Sequence, residues 1–256
     1  MRIIPKLVAS LACCALLPLH AVADKPDFSG VWQVMSRAND NLEPHRAQAA
    51  RAFREGPVVP VPAREVVALG AVGAVPAGLG VVEGGEIPYR DWAMEQRDEN
   101  RVNALQRDPE VSCSLPGIPR ATYMPYPFQI EQDDGSLLFS YAYAGASRTV
   151  AMDDPGPVAA NSSMGQSRAR WEGDTLVIET AGLNGEGWLD RSGNFYSKAL
   201  RVTEYFTRSS DHTIDYRATL EDDKVFTRPW SIAMTLYRRV GPDARLLPFN
   251  CQALFE

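Results

Sequence analysis

The sequence predicts a mainly β protein: an antiparallel up-and-down barrel with an N-terminal extension that contains one or two helices. Two observations support this. From Pro125 onward, apolar and polar residues alternate over about eight short segments. Short turns rich in Gly, Asp and Ser separate these segments, as expected when successive strands pair as neighbours. A β-sandwich is the alternative. The chain divides into a leader (1–23), an extension (24–110) and a barrel body (111–256).

The first 23 residues have the layout of a secretory signal peptide. Arg2 and Lys6 precede a short apolar run, and small residues at 21–23 form a cleavage site. The run is too short to span a bilayer. We therefore expect an exported protein, periplasmic or secreted, whose mature chain begins near Asp24. A lipoprotein acylated on a cysteine of the apolar run is the less favoured alternative.

The charge of the chain excludes two classes of partner. It carries 26 basic and 32 acidic residues, and the leader contains two of the basic ones and none of the acidic ones, so the net charge changes from −6 to −8 on cleavage. Such an acidic protein has no electrostatic surface for nucleic acid or for anionic membranes. No apolar stretch after the leader is long enough to form an integral membrane segment.

Two cysteines remain after the leader, Cys113 and Cys251. In an oxidising compartment they predict one disulfide that ties the C-terminus to the middle of the chain. Two free thiols are the alternative.

The extension contains several kinds of segment. Residues 27–32 predict a first short strand, and the polar stretch 36–54 forms a helix or a loosely held arm. Residues 56–87 are rich in Gly, Pro, Ala and Val, which is typical of a linker, although the valines favour partial burial. The stretch from Tyr89 to Arg107 predicts one helix with charged residues outside.

The remaining strands follow from alternation and turn residues. Asp134-Gly135, 172–174 and 209–212 are predicted hairpin turns. The predicted segments are a hairpin over 127–143, a strand over 146–153, hairpins over 167–180 and 200–220, and a final strand over 228–240.

Common cofactor and catalytic motifs are absent from the sequence. It has no phosphate-binding Walker loop, dinucleotide fingerprint, HExxH, CxxC or G-x-S-x-G motif. After the leader only His45 and His212 remain, so a Ser-His-Asp triad or a histidine zinc site is not expected. We predict neither a cofactor nor a metal.

Glu204 is the first candidate for chemistry. The alternation within 200–207 places it on a strand face that is otherwise apolar. If that face lines the lumen, the buried carboxylate is a candidate general acid or base. Arg148, Arg168 and Arg170 are candidate partners on other strands. A buried Glu–Arg pair that only stabilises the barrel is an equally good interpretation.

A glycine-rich loop after the 172–174 turn carries Trp188, Asp190 and Arg191. At a barrel mouth, the charged pair would order the opening and the indole would contact an aromatic or apolar ligand. The favoured alternative is a pair that pins its own loop. Tyr123 and Tyr141 add phenols near the strands, although aromatic residues on strands more often pack than bind ligands.

Four stretches resemble a family of exported bacterial proteins with a predicted lipocalin-like barrel. They are PRATYMPYPFQI (119–130), the run from WEGDTLVIET through WLDRSG (171–193), ALRVTEYF (199–206) and FTRPW (226–230). The resemblance covers about 86–251 and the DFSGVW stretch near the start. It implies a fold and carries no activity.

The resemblance also identifies retained and missing residues. Many members of that family carry a histidine at the position of Gln166 and one or two histidines within 193–196, where this chain has none. Any role of those histidines is therefore lost or replaced here. The retained residues, which we favour as functional, are Arg120, Tyr123, Asp190, Arg191, Glu204 and Trp230.

We therefore expect an exported cofactor-independent enzyme that performs acid–base chemistry, as an isomerase, lyase, cyclase or hydrolase, on a small apolar or aromatic molecule in the lumen. Glu204, Asp190 and Arg191 are the predicted catalytic residues. The alternative is a non-catalytic binding or carrier protein for a hydrophobic small molecule. A third option, an envelope protein without a ligand, predicts a lumen filled by its own side chains. The predicted substrate-binding residues are Arg120, Tyr123, Tyr141, Arg148, Arg170, Trp188 and Trp230.

Overall fold

The computed structural model describes residues 25–48, 75–152, 156, 161–242 and 244–253. The predicted signal peptide lies outside these residues and stays a prediction, as does the part of the arm within 49–74. Across the described residues, no helix combines the length and apolar character needed to cross a bilayer.

Nine strands of the described chain form one closed barrel in sequence order. The prediction of a mainly β barrel is confirmed, and every predicted strand is present. Strand β1, from the extension, pairs with both β2 and β9 and so closes the barrel. The strands are β1 Gly30–Val34, β2 Phe128–Gln132, β3 Ser136–Tyr141, β4 Ser147–Ala151, β5 Gln166–Glu172, β6 Thr175–Ala181, β7 Arg201–Arg208, β8 Thr213–Glu221 and β9 Trp230–Arg238.

One strand pair corrects the purely antiparallel up-and-down prediction. Strands β4 and β5 run parallel, with Val150 opposite Ser167, while the other neighbouring pairs are antiparallel. Strand direction alternates along an antiparallel meander, so an odd number of strands cannot close without one parallel pair. The barrel is therefore mixed, and a lipocalin-like topology is not confirmed.

Alternation along the strands determines which side chains fill the lumen. In β8 the buried residues are Ile214, Tyr216, Ala218 and Leu220, which follow a period of two. The turn between β5 and β6 passes through Gly173 at φ 59°, a conformation that favours glycine.

Short helices surround the barrel. They are α1 Asp91–Val102, α2 Ala104–Arg107, a 3₁₀ turn Pro109–Ser112 and α3 Arg120–Tyr123. The single helix predicted over 89–107 is interrupted at Asn103, whose side chain donates to the Glu99 carbonyl at 2.8 Å. Helix α1 packs closely on the loop at Gly193, where a Cβ would lie 2.7 Å from helix backbone atoms.

The barrel end that contains Val34, Tyr141 and Trp230 is called the upper end here. The loop 182–200, segment 36–48 and α3 cover it. We call α3 the plug helix, since its four residues are all buried and Thr122 reaches the side chains of the lumen.

The disulfide between Cys113 and Cys251 is present, which confirms the prediction. It attaches the C-terminal strap, residues 244–253, next to the 3₁₀ turn. Within the strap, Phe249 stacks on Tyr126 with ring centroids 4.5 Å apart. The Phe249 N–H also donates to the Ala142 carbonyl at 2.8 Å. The strap is therefore held at both flanks of the plug helix.

Candidate functional site

Glu204 lies inside the barrel without solvent contact. Arg148 of β4 reaches it across the lumen and binds it with two nitrogens. Arg148 Nη1 lies 2.5 Å from Glu204 Oε2, and Nη2 lies 3.2 Å from Oε1. Of the three arginines predicted as partners, the structure places Arg148 in this role.

Hydroxyl groups surround the ion pair. The Tyr216 hydroxyl donates to Glu204 Oε1 at 2.9 Å, and the Thr122 hydroxyl donates to the same oxygen at 3.4 Å. On the other side, Arg148 Nη1 donates to Thr180 Oγ1 at 3.5 Å. We call Thr122, Arg148, Glu204 and Tyr216 the lumen network. The network occupies both carboxylate oxygens of Glu204.

Two hydrogen-bond donors, one within the lumen network and one next to it, are unpaired. The Tyr141 hydroxyl and Arg148 Nε are buried and have no hydrogen-bond partner among the described residues. Arg148 and Thr122 lie close enough to the Tyr141 hydroxyl to lower its pKa. Neither meets the distance and angle of a hydrogen bond to that hydroxyl. Buried polar groups are nearly always paired, so two orphans at one place call for an explanation.

The protonation states in the lumen follow from burial and charge. Burial raises the pKa of Tyr141 to about 12, although Arg148 opposes the rise. Burial, reinforced by Glu204, also raises the pKa of Tyr216. Burial tends to lower the pKa of Arg148, but the Glu204 carboxylate outweighs it and raises that pKa. At neutral pH the phenols are therefore neutral donors beside a charged pair.

Asp190 lies in loop 182–200, which we call the upper loop, and faces segment 36–48. It is fully buried and accepts hydrogen bonds from the backbone N–H groups of Leu42 and Ser192, both at 2.8 Å. The Asn194 amide donates to it at 2.6 Å. Burial raises the pKa of Asp190 to about 7, while these three donors oppose the rise. Asp190 thus joins the loop to segment 36–48.

Glu110 of the 3₁₀ turn connects Arg120 and Arg191, two arginines that the sequence marked as candidates. Arg191 Nη2 lies 2.5 Å and Arg120 Nη2 lies 2.6 Å from its two oxygens. Burial tends to raise the pKa of Glu110, but the two guanidinium groups outweigh burial and lower it. Arg120 also pairs with Asp108, and Arg191 with Asp40. We call these five residues the upper network.

The plug helix links the upper network to the lumen. Its Arg120 belongs to the upper network, and its Thr122 contacts Glu204. The Tyr123 hydroxyl donates to the Leu189 carbonyl at 2.7 Å, which holds the loop on the helix. One helical turn therefore couples the cover of the barrel to its interior.

The other predicted residues lie apart from Glu204. Side chains alternate along β5, so Ala169 points into the barrel and Arg170 lies on the outer face. There Arg170 pairs with Glu172 and Glu179. Trp188 is buried in the upper loop. The structure therefore brings Arg148 and Tyr141 together with Glu204, and it places Arg170 and Trp188 elsewhere.

Trp230 begins β9 at the upper end. Its indole packs edge-on against Phe226, with ring centroids 5.3 Å apart. Its Nε1 is buried and has no partner among the described residues. Its ring contact is with Phe226 rather than with a residue of the lumen network.

Two residues of the lumen network were missed by the sequence analysis. Tyr216 shares the alternating buried face of β8 and lies opposite Phe206, so the pattern that identified Glu204 also marked Tyr216. Thr122 had no such signal, because four residues of helix show no periodicity.

Asn194 and Tyr196 belong to the segment that the sequence resemblance singled out. Asn194 binds Asp190, and the Tyr196 ring is wedged against Gly187, where a Cβ would collide with its hydroxyl. Asn194 and Tyr196 therefore pack within the upper loop.

Neither protein-family models nor curated proteins give a match to this chain. The resemblance to a family of exported proteins therefore stays a hypothesis. Within the described ranges, His, Cys, Asp and Glu side chains form no group of three or more that could hold a metal ion.

Proposed function

We propose that this protein is an exported enzyme that performs acid–base chemistry on a small, largely apolar molecule in the barrel lumen. The reaction class is isomerisation, elimination, cyclisation or hydrolysis. One observation carries the proposal: two unpaired donors, Tyr141 Oη and Arg148 Nε, lie beside a buried carboxylate inside the barrel. Such a convergence of ionisable and hydrogen-bonding groups is a recognised basis for assigning an active site.

In this proposal each residue has a separate role. Glu204 accepts or returns a proton, and Arg148 holds its carboxylate in place. Tyr141 donates a hydrogen bond to the substrate oxygen on which negative charge develops. Asp190 and Arg191 act at a distance, because they hold the upper loop and the 3₁₀ turn over the plug helix.

A non-catalytic binding or carrier protein is the second candidate. The two-nitrogen contact of Arg148 favours it, because fixed donors already occupy both oxygens of Glu204. A carrier would release its ligand unchanged, whereas an enzyme exchanges or moves a proton.

Solvent-deuterium exchange separates these two candidates. The purified disulfide-bonded protein is incubated in D₂O with 2-indanone, a neutral ketone, or with phenylpyruvate, an anionic one. Loss of the α-proton signals is followed by ¹H NMR against heat-denatured protein. We expect exchange of at least one probe, and a loss of about 100-fold in rate for Glu204→Gln. Glu179→Gln, on the outer face of β6, is the matched control and should retain the rate.

Circular dichroism checks that each variant is folded. If Glu204→Gln does not fold, Tyr141→Phe replaces it, since that change preserves the ring and the ion pair. If neither probe exchanges its α-protons faster than it does with the denatured protein, the proposed acid–base chemistry is contradicted. A full rate in a folded Glu204→Gln protein contradicts the assigned base, and a probe that binds without exchange favours the carrier.

A further inference from the structure

We infer that the lumen site takes an uncharged molecule with one carbonyl oxygen on an apolar or aromatic body. This inference rests on the proposed function, since it names the ligand class of the same site.

Charge excludes ionic ligands from the lumen network. Arg148 already neutralises Glu204, and both side chains are nearly inaccessible to water. An anionic ligand would lie beside the Glu204 carboxylate without a cation of its own. A cationic ligand would lie beside Arg148 without an anion. A buried charge without a partner is strongly disfavoured, so the ligand is neutral.

The unpaired groups determine the polar function of the ligand. Both are donors: the Tyr141 O–H, which burial keeps protonated, and the Arg148 Nε–H. Their complement is an acceptor. A carbonyl oxygen has two lone pairs and can accept from both donors. An alcohol would bring a proton of its own, and the oxygens of Glu204 already accept from Arg148, Tyr216 and Thr122.

Aromatic side chains next to the network determine the body of the ligand. The Arg148 guanidinium lies 4.5 Å from the centroid of the Phe139 ring, and Phe139 lies 5.8 Å from Phe206. Phe206 in turn packs edge-on against Tyr216 at 5.0 Å. These rings favour an apolar or aromatic body over a sugar or a peptide. The plug helix covers this end of the barrel and lies next to the network.

Three probes of similar size test the inference. Acetophenone has the carbonyl, ethylbenzene lacks the oxygen, and benzoate carries a charge. Saturation-transfer NMR titrations with the purified disulfide-bonded protein give the dissociation constants. We expect acetophenone to bind at least about 10-fold more tightly than the other two, the difference expected for one or two hydrogen bonds. Tyr141→Phe should remove about 10-fold of this preference and leave ethylbenzene unchanged. Tyr205→Phe, on the outer face of β7, is the matched control.

Several results would overturn the inference. They are absence of acetophenone binding, binding of ethylbenzene or benzoate as tightly as acetophenone, and an unchanged preference in folded Tyr141→Phe protein. The proposed function fails separately. Acetophenone that binds but exchanges no α-protons supports the ligand class and contradicts the enzyme. If the protein exchanges the α-protons of phenylpyruvate but binds no acetophenone, the enzyme is supported and the ligand class is contradicted.

Discussion

At Glu204, loss of the carboxylate leaves the Arg148 guanidinium charged and without a counter-ion inside the barrel. We expect Glu204→Gln to lower the free energy of unfolding by about 3–5 kcal/mol, the usual effect of breaking a buried ion pair from one side. Replacing both residues, as Glu204→Leu with Arg148→Met, should regain most of this loss. Urea denaturation measures both. If the Glu204→Gln protein is as stable as the surface variant Glu179→Gln, a buried charged pair is contradicted.

Asp190 predicts a dependence of stability on pH. Its pKa of about 7 lies above the ordinary value of 3.8, so the folded protein holds this proton more tightly than the unfolded chain. The stabilisation is complete below the ordinary pKa and is lost as the pH rises through 7. Between pH 5 and pH 8 the wild type should lose about 2–3 kcal/mol that Asp190→Asn does not lose. Denaturation at both pH values measures it, and identical pH dependence in the two proteins would contradict it.

The sequence predicted single residues correctly where alternation placed them on the inner face of a strand. Alternation in β7 identified Glu204 as a buried carboxylate, which the structure confirms. It did not distinguish Arg148 from Arg168 and Arg170, because the direction of an arginine depends on which face of its own strand is inside. Arg148 is buried on β4, whereas Arg168 and Arg170 are on the exposed face of β5.

At the scale of elements, the C-terminal strap and the plug helix form one mechanical unit. Cys113 ends the 3₁₀ turn that carries Glu110, and Glu110 binds Arg120 of the plug helix. Loss of the disulfide in Cys251→Ser should therefore lower the free energy of unfolding by ~4 kcal/mol. It should also speed hydrogen exchange of residues 117–127.

Hydrogen–deuterium exchange read by mass spectrometry checks the coupling between strap and plug helix. Strand β8, which pairs with β7 and β9, is the internal control. Faster exchange in β8 with an unchanged plug helix would show that the disulfide stabilises the barrel as a whole rather than the cover of its upper end.

The elements differ in how far sequence could predict them. The strands were predictable because a period of two and turn residues such as Gly173 act locally. The plug helix was not, since contacts of Arg120 and Thr122 with distant residues hold its single turn. The parallel β4–β5 pair was also missed, because alternation does not reveal the direction in which a strand returns.

For the whole molecule, closure depends on the short first strand. Strand β1 joins β2 to β9 and contributes the fully buried Trp32. A chain that begins after β1 would leave the edges of β2 and β9 unpaired, and exposed edges promote aggregation. We expect such a truncated protein to elute as large aggregates in size-exclusion chromatography. A monomer with cooperative thermal unfolding would contradict this role of β1.

The carbonyl stretching band of acetophenone bound to the protein tests the lumen site most directly. If Tyr141 and Arg148 donate to the ligand oxygen, the infrared band of the bound ketone lies at lower frequency than in hexane. It moves back towards the hexane value in Tyr141→Phe protein, whereas Tyr205→Phe leaves it in place. A bound ketone whose band is the same in wild-type and Tyr141→Phe protein would contradict a functional site at the lumen network.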